Sequence, residues 1–198
     1  MNGWQRLPSD QEFLEKAAEL RQQLANAEVE AFTHQGHERQ KKGDLDGAIQ
    51  DFSEAIRLKA DDVDAITSRG LARRDKGDLD GAIRDYTEII RLKPDNEVIT
   101  LRGLARRDKG DLDGAIRDYT EVIRLTPGYF AAFALRGIAR RDKEDLDGAI
   151  QDYSEAIRLK PNYAFAFAKR ADARRAKGDE VGAQQDYAES LRLGRPAP

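Results

Sequence analysis

Cysteine is absent from this 198-residue chain, so disulfides and thiolate ligands are excluded and the redox compartment is left open. No uninterrupted apolar run approaches membrane-spanning length. The opening residues, MNGWQRLPSDQEF, lack the apolar core of a signal peptide. These absences lead us to expect a soluble, cytoplasmic protein. Charge of one sign is not in excess either: the net charge is −3, with acidic and basic residues interleaved. That pattern provides neither a basic footprint for nucleic acid nor a polybasic membrane anchor. There is no phosphate-cradling Gly-rich loop and no Ser/His/Asp grouping, so catalysis is unsupported and no cofactor is expected.

What the chain does have is repetition. Gly70–Leu92 reads GLARRDKGDLDGAIRDYTEIIRL, and Gly103–Leu125 repeats it with Val122 in the place of Ile89. Looser copies begin at Gly36, Gly137 and Ala171. The alanines Ala48, Ala82, Ala115, Ala149 and Ala183 are spaced 34, 33, 34 and 34 residues apart. Five copies mean an array of one small unit whose core runs along its length. Charged residues reach 36%, against roughly 25% in an ordinary globular chain, as a thin two-layer array would require.

Each copy reads as two helices. The first ends at Lys-Gly-Asp (Lys42-Gly43-Asp44, Lys76-Gly77-Asp78, Lys109-Gly110-Asp111, Lys177-Gly178-Asp179), where Gly suits a left-handed turn and Asp caps the next helix. The second places Leu79, Ala82, Ile83, Tyr86, Ile90 and Leu92 on or near one face, and Pro94, Pro127 and Pro161 then stop it. Ahead of the repeats, residues 1–8, with Trp4 and Pro8, read as a loose arm. Ser9 to Glu12 then fits a capping box. Phe13, Ala17, Leu20 and Leu24 form an amphipathic stripe, expected to cover the open end of the array as a capping helix over 9–27. We place a break near Asn26, with one continuous helix as the alternative.

Gly at the eighth position, Gly-Asp at fifteen and sixteen, Ala at twenty, Tyr or Phe at twenty-four and Pro at thirty-two resemble the tetratricopeptide repeat. The resemblance spans about 29–196, divided as 29–62, 63–95, 96–129, 130–163 and 164–196, with 197–198 a tail. It implies an all-α fold, a right-handed superhelical solenoid of antiparallel helix pairs, in a family whose members mostly bind other proteins. Several residues depart from the pattern. Ala60 replaces the first Pro, and Glu144 replaces a turn Gly. The second junction is one residue short, at Pro94-Asp95-Asn96-Glu97. Position eleven, commonly aromatic in the family, is Arg39, Arg73, Arg106, Arg140 and Arg174, and position seven is Arg in four copies. Their stems are expected to cover the helix while their heads reach water. In the last copy Glu180, Gln184 and Ser190 stand where earlier copies carry apolar or small residues, as at the end of an array.

The resemblance also implies a concave wall made by the first helix of each pair. Position five there gives Thr33, Thr67, Thr100, Ala134 and Ala168, and position nine gives His37, Leu71, Leu104, Ile138 and Asp172. Position twelve gives Gln40 and then an Arg ladder, Arg74, Arg107, Arg141 and Arg175. Position thirteen puts Asp75, Asp108 and Asp142 beside the first three arginines. Two readings of the ladder stand open: a bidentate carboxylate site, or an ion-pair network that neutralises itself. Arg175, with no adjacent Asp, is the strongest anion-binding candidate. Phe165 at position two should face the groove with Tyr163 at its lip, while Phe133 and Phe167 match core positions. Either inter-repeat packing or a binding hot spot accounts for these aromatics. The Lys and Asn that a chaperone-tail clamp needs are missing, because Thr, Leu and Arg occupy those positions. His34 and His37 lie three apart, but lack the further ligands a metal needs.

The sequence therefore reads as a non-catalytic interaction module or adaptor, taking a protein or peptide with acidic and aliphatic residues. The alternative is a self-assembling scaffold, a homo-oligomer joined through array ends or the N-terminal helix. Nucleic acid is disfavoured because a carboxylate sits beside most of the ladder arginines.

Overall fold

A computed structural model describes residues 9–194. The arm at 1–8 and the tail at 197–198 lie outside the described residues. All regular structure among the described residues is helical: α1 (Asp10–Lys41), α2 (Leu45–Leu58), α3 (Val63–Lys76), α4 (Leu79–Leu92), α5 (Asn96–Asp108), α6 (Leu112–Leu125), α7 (Phe130–Asp142), α8 (Leu146–Leu159), α9 (Ala164–Ala176) and α10 (Glu180–Gly194). The chain divides into an N-terminal part ending at Asp78 and a C-terminal part starting at Leu79. In the first, α2 packs on α1 and α3; in the second, α4 to α10 pack each on the next. The fold is all-α, with helices in sequential antiparallel pairs.

The capping box forms as the sequence predicts, with Ser9 Oγ accepting from the Glu12 amide and Glu12 Oε2 accepting from the Ser9 amide. No break follows it. α1 runs unbroken through Asn26, so the expected interruption is absent and the continuous alternative is found. Among the described residues its stripe stays uncovered: Phe13, Leu20 and Leu24 lie exposed on α1.

Each hairpin turns through a residue in the left-handed region. Gly43, Gly110 and Gly178 take it at φ 81°, 87° and 84°. Glu144 takes it at φ 66°, a conformation costing a non-glycine residue roughly 1–2 kcal/mol. The following Asp caps the next helix: Asp44, Asp111, Asp145 and Asp179 accept from the amides of Gly47, Gly114, Gly148 and Gly182. α2 stops at Leu58 although Ala60 holds the place of proline, because Asp62 already caps α3.

Within a pair, the ring at position twenty-four lies on the glycine at position eight. Phe52, Tyr119 and Tyr153 are fully buried, and a Cβ on Gly36, Gly103 or Gly137 would sit 2.6–2.7 Å from a ring carbon. Repeat five has Ala171 there, and its Tyr187 stands half-exposed with its hydroxyl donating to Asp172 at 2.5 Å. Between repeats, small residues form the seams: Val122 with Ala132, and Ala156 with Ala134 and Ala166.

The arginines at positions seven and eleven overturn the expectation that their heads reach water. They converge on a buried aspartate at position twenty-three. Arg136 grips Asp152 with Nε and Nη2 at 3.0 and 2.7 Å, and Arg140 Nη1 adds a bond at 2.9 Å. Arg102 and Arg106 hold Asp118 in the same way, as Arg170 and Arg174 hold Asp186. Asp118, Asp152 and Asp186 are 2–4% exposed. A buried carboxylate is tolerated only when paired and fully hydrogen-bonded, which two guanidiniums achieve. The position-seven arginine also reaches back to the preceding repeat: Arg136 donates to Thr120 and Arg170 to Ser154. Repeat one has Gln35 at that position, and Asp51 receives only Arg39 Nη1, at 3.2 Å. Its Oδ2 is buried with no hydrogen-bond partner, and burial pushes its carboxyl above the usual range, only partly offset by Arg39.

Candidate protein-interaction surface

The first helices of successive pairs carry the residues singled out by the repeat. In the N-terminal part these are Thr67, Leu71 and Arg74 on α3. All three are half-buried, and the Thr67 hydroxyl is turned inward onto the Val63 carbonyl at 2.7 Å. Beside them on α1, His37 lies in hydrogen-bond contact with Ser68 Oγ at 2.8 Å and edge-on to Phe52. His37 is thus tied into packing while His34 is exposed, and no cluster of metal-ligating side chains exists among the described residues.

In the C-terminal part, α5 carries Thr100, Leu104 and Arg107, α7 carries Ala134, Ile138 and Arg141, and α9 carries Phe165 and Arg175. Their exposures differ in ways that matter for contact. Ala134 is 1% exposed, sealed in the seam with Ala156 and Ala166, so its side chain is closed to contact, against the expectation that it lines a groove. Thr100 spends its hydroxyl on the Asn96 carbonyl at 2.7 Å. Leu104 and Ile138 are half-buried, Ile138 against Ala149 and Tyr153.

The ladder is largely self-neutralised. Arg141 Nη2 meets Asp142 at 2.8 Å, and that bond raises the guanidinium pKa further. Arg107 meets Asp108 at 3.4 Å and, across the repeat boundary, Asp142 at 3.9 Å. Arg175, which has no carboxylate beside it in sequence, finds one on the next helix, Glu180 at 3.8 Å, and lies over the Tyr187 ring at 4.7 Å. It remains the most open of the three, with its side chain 54% exposed. The Tyr187–Asp172 bond that orients this ring also raises the tyrosine pKa.

The aromatics form a ledge where α7 and α9 begin. Phe130 stands edge-on to Tyr163 at 4.9 Å, Tyr163 lies 5.6 Å from Phe165, and Tyr129 touches Phe130. Burial raises the Tyr163 hydroxyl pKa. Tyr129 and Phe165 are 39% and 41% exposed. Sequence reasoning missed two lysines here: Lys160 Nζ sits 4.5 Å over Phe130, and Lys169 Nζ 5.6 Å over Phe165. Lys169 also meets Asp172 at 3.4 Å, so Lys160 is the main cation on the ledge. Phe133 and Phe167, expected in the core, are half-buried under Arg136 and Arg170.

No helix among the described residues is long and apolar enough to cross a membrane. A family model described as tetratricopeptide repeat matches residues 34–97 and 100–164. A comparison with curated protein sequences finds no match. Among solved structures, a MamA protein is similar at a TM-score of 0.74 and 22% identity, over 85% of this chain and 92% of that one. MamA from Desulfovibrio magneticus RS-1, from residue 41 onward, gives 0.75 and 18%, over 84% and 94%. YrrB, described as having an unusual peptide-binding site, gives 0.65 and 14%, over 82% and 84%.

Proposed function

The chain belongs to the tetratricopeptide repeat family, and on that premise we propose that it is a non-catalytic interaction module that binds a peptide segment of a partner protein. The segment runs along α5, α7 and α9, with an apolar side chain on the aromatic ledge and a carboxylate at Arg175. Thr67, Leu71 and Arg74 on α3 are a separate set of candidate contact residues within the N-terminal part. The observation that carries this reading is Phe165. It is a large aromatic left 41% exposed in the first turn of α9, held by Tyr163 and flanked by Lys169. A partly exposed aromatic held by its neighbours is what a binding hot spot needs, and the Lys160 ammonium over Phe130 favours an acidic segment. Leu104 and Ile138 extend the apolar strip. Arg107 and Arg141, already paired with Asp108 and Asp142, contribute less than Arg175, since such pairs exchange partners at little net gain. A peptide-binding site in YrrB, on the same fold, agrees with the reading.

The test is selection of peptides from a random display library on the full chain. Enriched sequences should combine acidic residues with an aliphatic or aromatic anchor. Phe165→Ala should weaken them at least tenfold, with a smaller loss for Arg175→Ala. Selected peptides that bind both variants unchanged overturn the assignment.

A further inference from the structure

Between Asp10 and Glu28, α1 buries no residue, yet most of a helix's stability in a protein comes from packing an apolar face. Such a face is present. Phe13, Ala17, Leu20, Leu24, Ala27 and Ala31 follow one another at alternating steps of four and three, the seam of a heptad repeat. They lie opposite Val29, Thr33 and Gly36, the residues α1 buries in its own array. Phe13, Leu20 and Leu24 are 67%, 56% and 63% exposed.

We propose that this seam docks a second copy of the chain, α1 against α1 in antiparallel orientation. Spacing sets the register. With Phe13 against Ala31, Ala17 falls opposite Ala27 and Leu20 opposite Leu24, and the two-fold axis repeats the same pairs. Bulky residues thus meet at the centre, and Phe13 meets a small residue at each end. The flanking charges agree with this orientation. Helical side chains lean toward their own N-terminus, so Lys16 and Glu30 of the second copy lean toward each other. On the other flank Arg21 and its symmetry mate lean apart. A parallel pair would instead set Lys16 against Arg21 of the second copy, a repulsive contact. The arrangement uses no residue of the peptide surface, so the two proposals stand or fall separately.

The full chain is tested by sedimentation equilibrium across micromolar concentrations. A monomer–dimer equilibrium is expected, and Leu20→Glu with Leu24→Glu should yield monomer with most of its helical signal kept. Lys16→Glu should weaken the dimer about three- to tenfold, through two symmetry-related pairs, and adding Glu30→Lys should restore it. Since the chain has no cysteine, introduced thiols report on orientation. Ala17→Cys mixed with Ala27→Cys should form a disulfide-linked pair more readily than either variant alone. Four results overturn the proposal: monomer at every concentration, a dimer indifferent to the Leu20/Leu24 change, Ala17→Cys linking to itself as readily as to Ala27→Cys, or loss of the dimer on Phe165→Ala.

Discussion

Replacing Gln35 with Arg should stabilise the first repeat by about 1–2 kcal/mol. In repeats three to five a position-seven arginine completes the coordination of the buried aspartate. In repeat one it is missing, and Asp51 Oδ2 is left without a partner. There is room for the new side chain, because Gln35, Arg39 and Asp51 line one open pocket of about 620 Å³ between α1 and α2. A buried acceptor left unsatisfied costs about 1–3 kcal/mol, more when charged. The carboxylate is already desolvated, so the change adds pairing without a new burial penalty on that side. Arg and Gln lose similar rotamer entropy, so that cost nearly cancels.

The pH dependence gives the stricter check on the same change. The folded-state pKa of Asp51 is raised, chiefly by burial. Its protonated form is therefore favoured by folding, and that contribution is fully present below the ordinary value, about 3.9, and lost as pH rises through the folded value. An added guanidinium pulls the folded value back down. The gain from Gln35→Arg should therefore appear near neutral pH and vanish in acid, where Asp51 is protonated in both states. Urea unfolding at the two pH values, with amide exchange localised to α1 and α2, measures it. A gain equal in acid and at neutral pH, or no gain at all, refutes the reasoning.

Asp152→Ala leaves the Arg136 and Arg140 guanidiniums facing each other without their carboxylate. It should cost about 3–5 kcal/mol in denaturant unfolding, since removing one partner strands buried charge. Glu144→Gly relieves the φ of 66° and should add about 1 kcal/mol, read as a raised denaturant midpoint at constant slope. Gly137→Ala puts a Cβ 2.7 Å from the Tyr153 ring and should destabilise by about 1–3 kcal/mol. Ala171→Gly, where no buried ring needs the space, should cost only the helix-propensity difference of about 1 kcal/mol. Equal losses at Gly137 and Ala171 would show that ring packing is not what the glycine serves.

Much of the hairpin was legible because its signals are local. A capping Asp three residues before the glycine whose amide it accepts, a left-handed Gly, and a Pro after the second helix each report their own turn. Glu144 was legible in the same way, as the wrong residue at a known turn. The arginine–aspartate clusters were not read, because their members are twelve and sixteen residues apart and each arginine alone looks like a solvated stem. A signal did exist. Asp51, Asp85, Asp118, Asp152 and Asp186 recur beside the core tyrosine or phenylalanine, on the apolar face of the second helix. A charge kept there requires a partner, and arginines recur with the same period at positions seven and eleven. The exposed seam of α1 was visible as a stripe, but its destination was misjudged, since periodicity tells which face is apolar and not what covers it. On the candidate surface, the positions of Thr100, Leu104, Arg107 and Arg141 do not by themselves tell what each can offer. Their contact value depends on neighbours: Asp142 from the following repeat, the seam that closes over Ala134, and the lysines beside the ledge.

The backward reach of the position-seven arginine bears on how such a chain grows. Arg136 and Arg170 each take one partner from their own repeat and one hydroxyl from the repeat before. Copies three and four thus carry a plug at one side and a socket at the other. A gene segment encoding one copy can be duplicated in tandem and its product will find both partners waiting. The near-verbatim twin stretches Gly70–Leu92 and Gly103–Leu125 have the repetition that such lengthening would produce.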